Sequence, residues 1–244
     1  MTIALIPVKR LEQSKSRLLP ELADATRQAL TLAMLEDLIE ALDRSGRIDR
    51  IVVTTPDPQV ARRAEAAGAE VLLRPEPGLN AALEDAAQRL APAEGEALLI
   101  VLGDVAGALP EELGRLVSTA SSGREGTAPP EGTPGRLRPE AGVWLVPSAD
   151  GGTSALLLRP ARAIPFCFGP ASAARHREAA RAANVAYHEV PLASLAIDLD
   201  QPEDLAAFLA TPGGGARTRA LLEGLRADRT PPPRSEPEPE KRIP

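Results

Sequence analysis

Four cations lie within the segment IPVKRLEQSKSRL, Ile6 to Leu18: Lys9, Arg10, Lys15 and Arg17. The segment holds no glycine. Its charge must therefore act through side chains, where a Gly-rich phosphate loop would use backbone N–H groups. Lysine supplies a mobile point charge, and arginine can bind phosphate through two parallel hydrogen bonds. Lys9, Lys15 and Arg17 would suit a polyphosphate. The ordinary alternative is a solvated charge run. No GxxxxGK[ST] motif occurs, which speaks against an ATPase of that kind.

Acids form a second set. Asp104 ends the apolar run LLIVLGD, and Asp198 and Asp200 stand in IDLDQPEDL. Open α/β sheets bind ligands beyond the carboxyl ends of their strands, where a strand-terminal Asp meets the crevice. Reading IDLD as a second strand end gives a hard oxygen site suited to Mg²⁺. Each acid has a plainer role. Asp104 could cap the next turn, and Asp200 could cap the helix opening at Gln201-Pro202, with Glu203 or Asp204 in its first turn.

Three further segments carry glycine and hydroxyl groups. In GLNAAL, Gly78 permits close backbone approach, and Asn80 is either an N-cap or a contact to a base or ribose. In ADGGTSALLL, Gly151 and Gly152 form either an anion-binding turn beside Thr153 or a plain hairpin. In FCFGPASAARH, Gly169 and Ser172 precede a helix whose N-terminus would attract an anion, unless Ser172 is only its cap. His176 follows one turn on, facing the pocket or packing, and is not read as a general base. Cys167, between two phenylalanines, reads as core packing.

The elements that must hold these groups alternate. Ile3–Val8, RIVVTT, AEVLLRP and EALLIVLGD read as strands, separated by helices at 26–45, 57–68 and 78–91. A further helix begins at Pro110. Such alternation predicts parallel strands with crossover helices. Residues 121–141, rich in Pro and Gly, read as an irregular loop. Two strands around a Gly-rich turn, a helix at 171–184, a strand in YHEVPLASLAIDLD and a helix at 201–210 follow. The expected organisation is one domain over residues 1–210. Residues 211–244 then hold a short helix and a disordered Pro/Glu-rich tail.

At 244 residues, 43% of them apolar, the chain can fill a sizeable core. A net charge of −6 and 2% aromatic content speak against nucleic acid and anionic lipid as partners. One cysteine precludes an intrachain disulfide and a multi-Cys metal site, and points to a reducing cytoplasm. No stretch has the length of a membrane span. The sequence is silent on oligomeric state, and a homo-oligomer is compatible with it.

Taken in order, IPVKRLEQSKSRL, GLNAAL, GDVAGALPEEL, GGTSALLL, FGPASAARH and IDLDQPEDL resemble the guanylyltransferases of coenzyme F420 biosynthesis. The resemblance covers roughly residues 1–210. It implies a mostly parallel open sheet of nucleotidyltransferase type, GT-A-like and Rossmann-like. It also implies transfer of GMP from GTP to phosphoenolpyruvate, with 2-phospho-L-lactate or 3-phosphoglycerate as the alternative acceptor, and with Mg²⁺. By the same resemblance Asp104, Asp198 and Asp200 would hold the metal, and Thr153, Gly169 and Ser172 the phosphorylated acid. Lys9, Lys15 and Arg17, with Gly78 and Asn80, would hold GTP. Three positions depart from the family pattern, Ala106 for Pro, Ser154 for Asn, and Ala173 for a bulkier residue, all of them near the acceptor side. A nucleotidyltransferase acting on another acceptor, and a non-catalytic ligand-binding protein, are the rival readings.

Overall fold

The computed structural model describes residues 1–15, 22–75, 78–122, 141–196, 199 and 201–229. Seven strands form one sheet: β1 (Thr2–Pro7), β2 (Arg50–Thr55), β3 (Glu70–Leu73), β4 (Ala97–Val101), β5 (Gly142–Pro147), β6 (Thr153–Arg159) and β7 (Ala186–Glu189). Their order is β3-β2-β1-β4-β6-β5-β7. Only β6 runs against the others; β1 pairs parallel with β2 and β4, β2 with β3, and β5 with β7. The expected α/β architecture with a mostly parallel open sheet is observed.

Helices cover both faces: α1 (Asp24–Arg44), α2 (Pro58–Ala66), α3 (Leu79–Leu90), α4 (Pro110–Ser122), α5 (Ser172–Ala182), α6 (Pro202–Ala210) and α7 (Ala216–Arg229). Strand alternation divides the core accordingly. Ala4, Ile6, Leu99, Val101 and Leu157 pack with α1, α2 and α4. Ile3, Leu5, Leu98, Ile100, Leu156 and Leu158 pack with α3 and α5. ALLIV of β4 is fully buried, as a central strand covered on both sides must be. Among the described residues no helix is long and apolar enough to cross a membrane.

Two expectations are corrected here. The strand expected to end in Asp198 and Asp200 ends at Glu189, and a short 3-10 turn at Ala193–Leu195 intervenes before them. The packed structure also runs past residue 210. Leu222 of α7 joins Leu30 and Met34 of α1, Phe208 of α6 and Ala106 in a third cluster. Asp37 of α1, buried, accepts hydrogen bonds from the Arg217 and Thr218 backbone N–H groups at 3.1 and 2.9 Å. It thereby satisfies donors at the start of α7 that no helical carbonyl can reach. The glycines before α7 permit this docking. A Cβ on Gly215 would lie 2.3 Å from the Ala106 carbonyl oxygen, and the residue sits at φ 80°. The Pro-rich segment expected to be irregular lies, over 123–140, outside the described residues.

Candidate active site

The C-terminal ends of β1, β2, β3 and β4 open onto one cleft of about 300 Å³. β1 contributes Lys9 and Lys15 through its following loop, β2 contributes Thr54 and Thr55, β3 contributes Arg74, and β4 contributes Gly103 and Asp104. Gly78 and Leu79 close it from the start of α3. Cations, a carboxylate and hydroxyls thus converge where a parallel sheet exposes its strand ends.

Lys15 and Asp104 meet directly. Lys15 Nζ lies 3.7 Å from Asp104 Oδ2, with the lysine side chain 5% exposed and the aspartate side chain 34% exposed. Asp104 Oδ1 is buried and has no hydrogen-bond partner among the described residues. A carboxylate oxygen left in that state costs free energy unless a cation or donor reaches it. Gly103 makes the approach of β4 to β1 feasible, because a Cβ there would sit 3.0 Å from Val8 and 3.2 Å from the Pro7 carbonyl oxygen.

The basic loop is held by groups that sequence reasoning did not single out. Asp57, the N-cap of α2, accepts from Gln59 N at 2.8 Å and from Leu11 N at 3.0 Å. Burial raises its carboxyl pKa, but the Leu11, Gln59 and Val60 N–H groups outweigh burial and hold it below the usual range. Arg27 of α1, 2% exposed, donates to the Ser14 carbonyl at 2.6 Å. These contacts fix the chain between Lys9 and Lys15, which adopts φ 53°. Arg17 lies outside the described residues.

Arg74 is a third cation at the cleft. It is 7% exposed and donates to Thr54 Oγ1 at 2.8 Å, to Asp85, and to the Ala82 carbonyl. Desolvation lowers its pKa, with Arg89 adding to the shift. Its position directly after a strand was the signal available in AEVLLRP.

A second polar cluster stands beside the first. β4 and β6 pair with Val101 opposite Ala155, and Leu102 N donates to the Ser154 carbonyl at 3.1 Å. Thr153 is thus placed next to Gly103 in the sheet. The β5–β6 pairing slips at Val146/Pro147, so that Pro147 opposes Thr153 and one residue is extra. A bulge of this kind re-aims the neighbouring side chain. Thr153 turns to the α5 face, where its Oγ1 lies 2.9 Å from Ser172 Oγ and 3.2 Å from His176 Nδ1. Ser172 is the first residue of α5, and the cap position belongs to Ala171.

Asn80 joins the two clusters. It is not the cap of α3, a position Gly78 occupies. Its side chain pairs with the Phe168 backbone, Nδ2 to the carbonyl at 3.0 Å and Oδ1 from the N–H at 2.9 Å. This fixes Gly169, at φ 117°, against the start of α3. Arg175, also missed from sequence, donates to the Phe168 carbonyl at 2.9 Å and brings positive charge to Gly169.

Several plainer readings are decided. The turn at Gly151-Gly152 is a hairpin rather than an anion nest, because Asp150 Oδ1 already takes the Gly152 N–H at 2.9 Å. Cys167 is half-exposed, unlike its buried neighbours Phe166 and Phe168. The cap of α6 is Gln201, whose N–H donates to Asp204 at 2.7 Å, so Asp200 does not hold that position. Asp198 and Asp200 lie outside the described residues, but Leu199 between them is buried in the same cluster as Ala106. Among the described residues no group of three metal-ligating side chains occurs.

This sheet, with its strand-end cleft, is the fold of the nucleotidyltransferases. A protein of Desulfovibrio desulfuricans G20 described as a nucleotide-diphospho-sugar transferase superposes with TM-score 0.69 at 16% identity, covering 93% of this chain and 95% of that one. A nucleotidyl transferase of Methanothermobacter aligns with TM-score 0.54 at 14% identity, over 85% and 95% of the two chains. The chain belongs to the family of CofC-like guanylyl transferases, whose profile matches residues 2–133 and 136–241. A phosphoenolpyruvate guanylyltransferase of Sphaerobacter thermophilus is 36% identical over 84% of this chain and 90% of its own. One from Rubrobacter xylanophilus is 37% identical over 88% and 97%. A 3-phospho-D-glycerate guanylyltransferase of Phenylobacterium zucineum is 37% identical over 93% and 98%. The protein is thus a nucleotide-binding guanylyltransferase.

Proposed function

We propose that the chain transfers the guanylyl group of GTP to phosphoenolpyruvate, releasing pyrophosphate and forming enolpyruvoyl-2-diphospho-5'-guanosine. The reaction would serve coenzyme F420 biosynthesis. The observation that carries this reading is the convergence of Lys9, Lys15 and Asp104 on one cleft, with the Thr153–Ser172 pair one strand away.

A phosphate oxygen of the acceptor attacks the α-phosphorus of GTP, and the bond to the pyrophosphate oxygen breaks. A phosphate monoester has a second pKa of about 6, so the nucleophile is already ionised and needs no side-chain base. The obstacle is the approach of two anions. Unit charges about 4 Å apart repel by roughly 4 kcal/mol at an effective dielectric of about 20. Lys9, Lys15 and Arg17 oppose that repulsion and stabilise charge on the departing pyrophosphate. Gly78 lets the triphosphate or base approach the start of α3. Thr153, Gly169 and Ser172 hold the acid, and Asn80 acts through the Phe168–Gly169 backbone.

Asp104 Oδ1, without a partner among the described residues, fits a hard cation. Asp104, with Asp198 and Asp200, would hold Mg²⁺. The ion would supply charge neutralisation at the phosphates.

A second acceptor, 3-phospho-D-glycerate, is favoured by the relatives that carry that name at comparable identity. It shares a carboxylate and a phosphate with phosphoenolpyruvate, as does 2-phospho-L-lactate. Pyrophosphate release with GTP against each of the three acids tests the assignment. The highest kcat/KM is expected with phosphoenolpyruvate. A tenfold preference for either other acid would reassign the acceptor, and release with none would reject the transferase reading for all three.

A further inference from the structure

His176 is fully buried, and both ring nitrogens are engaged. Nε2 accepts the Cys167 backbone N–H at 2.9 Å. A nitrogen that accepts carries no proton, so the neutral ring must bear its hydrogen on Nδ1. Protonating the ring would set two N–H groups against each other inside the core. Burial already disfavours that state, the Arg175 charge adds to it, and a bond to the Ser172 backbone only partly opposes it, leaving the pKa at about 4. Nδ1–H therefore points as a donor at Thr153 Oγ1, 3.2 Å away, and shares that hydrogen with the Ser172 backbone carbonyl, while Thr153 bonds Ser172 at 2.9 Å.

The hydrogens of this chain can be counted. Thr153 and Ser172 own one hydroxyl hydrogen each. One of the two spans the bond between them. Were the imidazole an acceptor at Nδ1, the other would be spent on the ring. The pair would then offer only lone pairs, which repel an oxygen anion. Because the ring donates, one O–H remains for a group outside the chain. The first-turn position of Ser172 on α5 and the guanidinium of Arg175 beside Gly169 give that remaining donor an electropositive surrounding.

We infer that His176 is a positioning residue which, by donating from Nδ1 into Thr153, directs one hydroxyl hydrogen of the Thr153–Ser172 pair toward an oxygen anion of the acceptor acid. The inference rests on the assignment of Thr153 and Ser172 to the acceptor. The anion is the carboxylate or the phosphate, chemistry common to all three candidate acids.

Two measurements test it. The first needs no variant. Long-range ¹H–¹⁵N correlation on the wild-type chain, which has two histidines, should show one of them locked as the Nδ1–H tautomer at pH 7. An Nε2–H tautomer for His176 would overturn the inference. The second is kinetic. His176→Gln places its amide oxygen where Nε2 accepts from Cys167 but removes the Nδ1 donor. His176→Asn keeps a donor where Nδ1 stands. His176→Gln should raise the acceptor KM roughly tenfold or more, the scale of a lost bond to a charged group. The GTP KM should stay within twofold, and His176→Asn should recover most of the loss. In a Thr153→Val background, His176→Gln should add less than twofold. Equal effects of Gln and Asn, or full additivity with Thr153→Val, would overturn the inference and assign His176 to packing alone. Absence of wild-type turnover with every acid would instead defeat the functional reading, while turnover with unresponsive variants would defeat only this one.

Discussion

Lys15 and Asp104 illustrate how the site uses position as much as charge. The lysine is 7% exposed overall, and its ammonium faces a carboxylate whose second oxygen has no partner among the described residues. His176 shows the opposite case, a titratable group kept neutral. Its folded pKa of about 4 lies below the ordinary value of 6.5. The stability that this group contributes is therefore fully present above pH 6.5 and is lost as pH falls toward 4. His188, stacked on Trp144 and lowered by burial, has the same sign. Unfolding free energy measured from pH 7 to pH 4 should fall in the wild type and fall less in His176→Gln. Parallel profiles for the two proteins would contradict the buried neutral imidazole.

Among the elements, the loop after β1 depends on α2 as well as on its own residues. Asp57 caps α2 and holds Leu11. Asp57→Ala removes both contacts. Loss of an N-cap costs about 0.5–2 kcal/mol, and the stranded Leu11 N–H adds to it. The expected outcome is a destabilisation of about 2 kcal/mol by urea titration together with a several-fold rise in the GTP KM. Destabilisation without a change in GTP binding would show that the loop holds its shape without this tie. Much at this scale was legible beforehand. ALLIV announced a central strand by its unbroken apolar run, and DPQVARRAEAAG announced a short helix ended by Gly68. The bulge that turns Thr153 toward α5 was not legible, because it arises from a one-residue mismatch between paired strands. Nor was the role of Asn80, whose partner lies 88 residues away. The strand expected to end in Asp198 and Asp200 failed because VPLASLAIDL is apolar for a different reason: Leu192 and Leu195 pack in a core cluster from a loop and a 3-10 turn.

Across the whole molecule, the sheet gathers its chemistry at one end, and the C-terminal helices brace that end from behind. Composition suggested an appended tail from residue 211, since Pro, Gly and charge dominate there. What the composition concealed was Leu222 and the fit of three glycines against the backbone of residues 106–108, just past Asp104. Arg219 adds to the brace, its guanidinium 4.2 Å from the Phe208 ring centre and bonded to the Phe208 carbonyl at 2.9 Å. A chain ending at residue 210 would uncover Leu30, Met34 and Phe208. With about 1.5–3 kcal/mol for each large apolar side chain re-exposed, it should lose about 4.5 kcal/mol or more. Thermal unfolding should show a clearly lower Tm, and an unchanged Tm would mean that α7 is dispensable to the fold.

If Asp104, beside Lys15, organises guanylyl transfer at the strand ends, turnover depends on its charge. Asp104→Asn tests it with minimal change of shape. Pyrophosphate release should be measured with GTP, phosphoenolpyruvate and Mg²⁺ for both proteins, alongside their melting curves. The expected loss is at least about a hundredfold in kcat, of the size seen when charge stabilisation is removed from a transition state, with the melting curve retained. Wild-type turnover in a folded Asp104→Asn protein would contradict it.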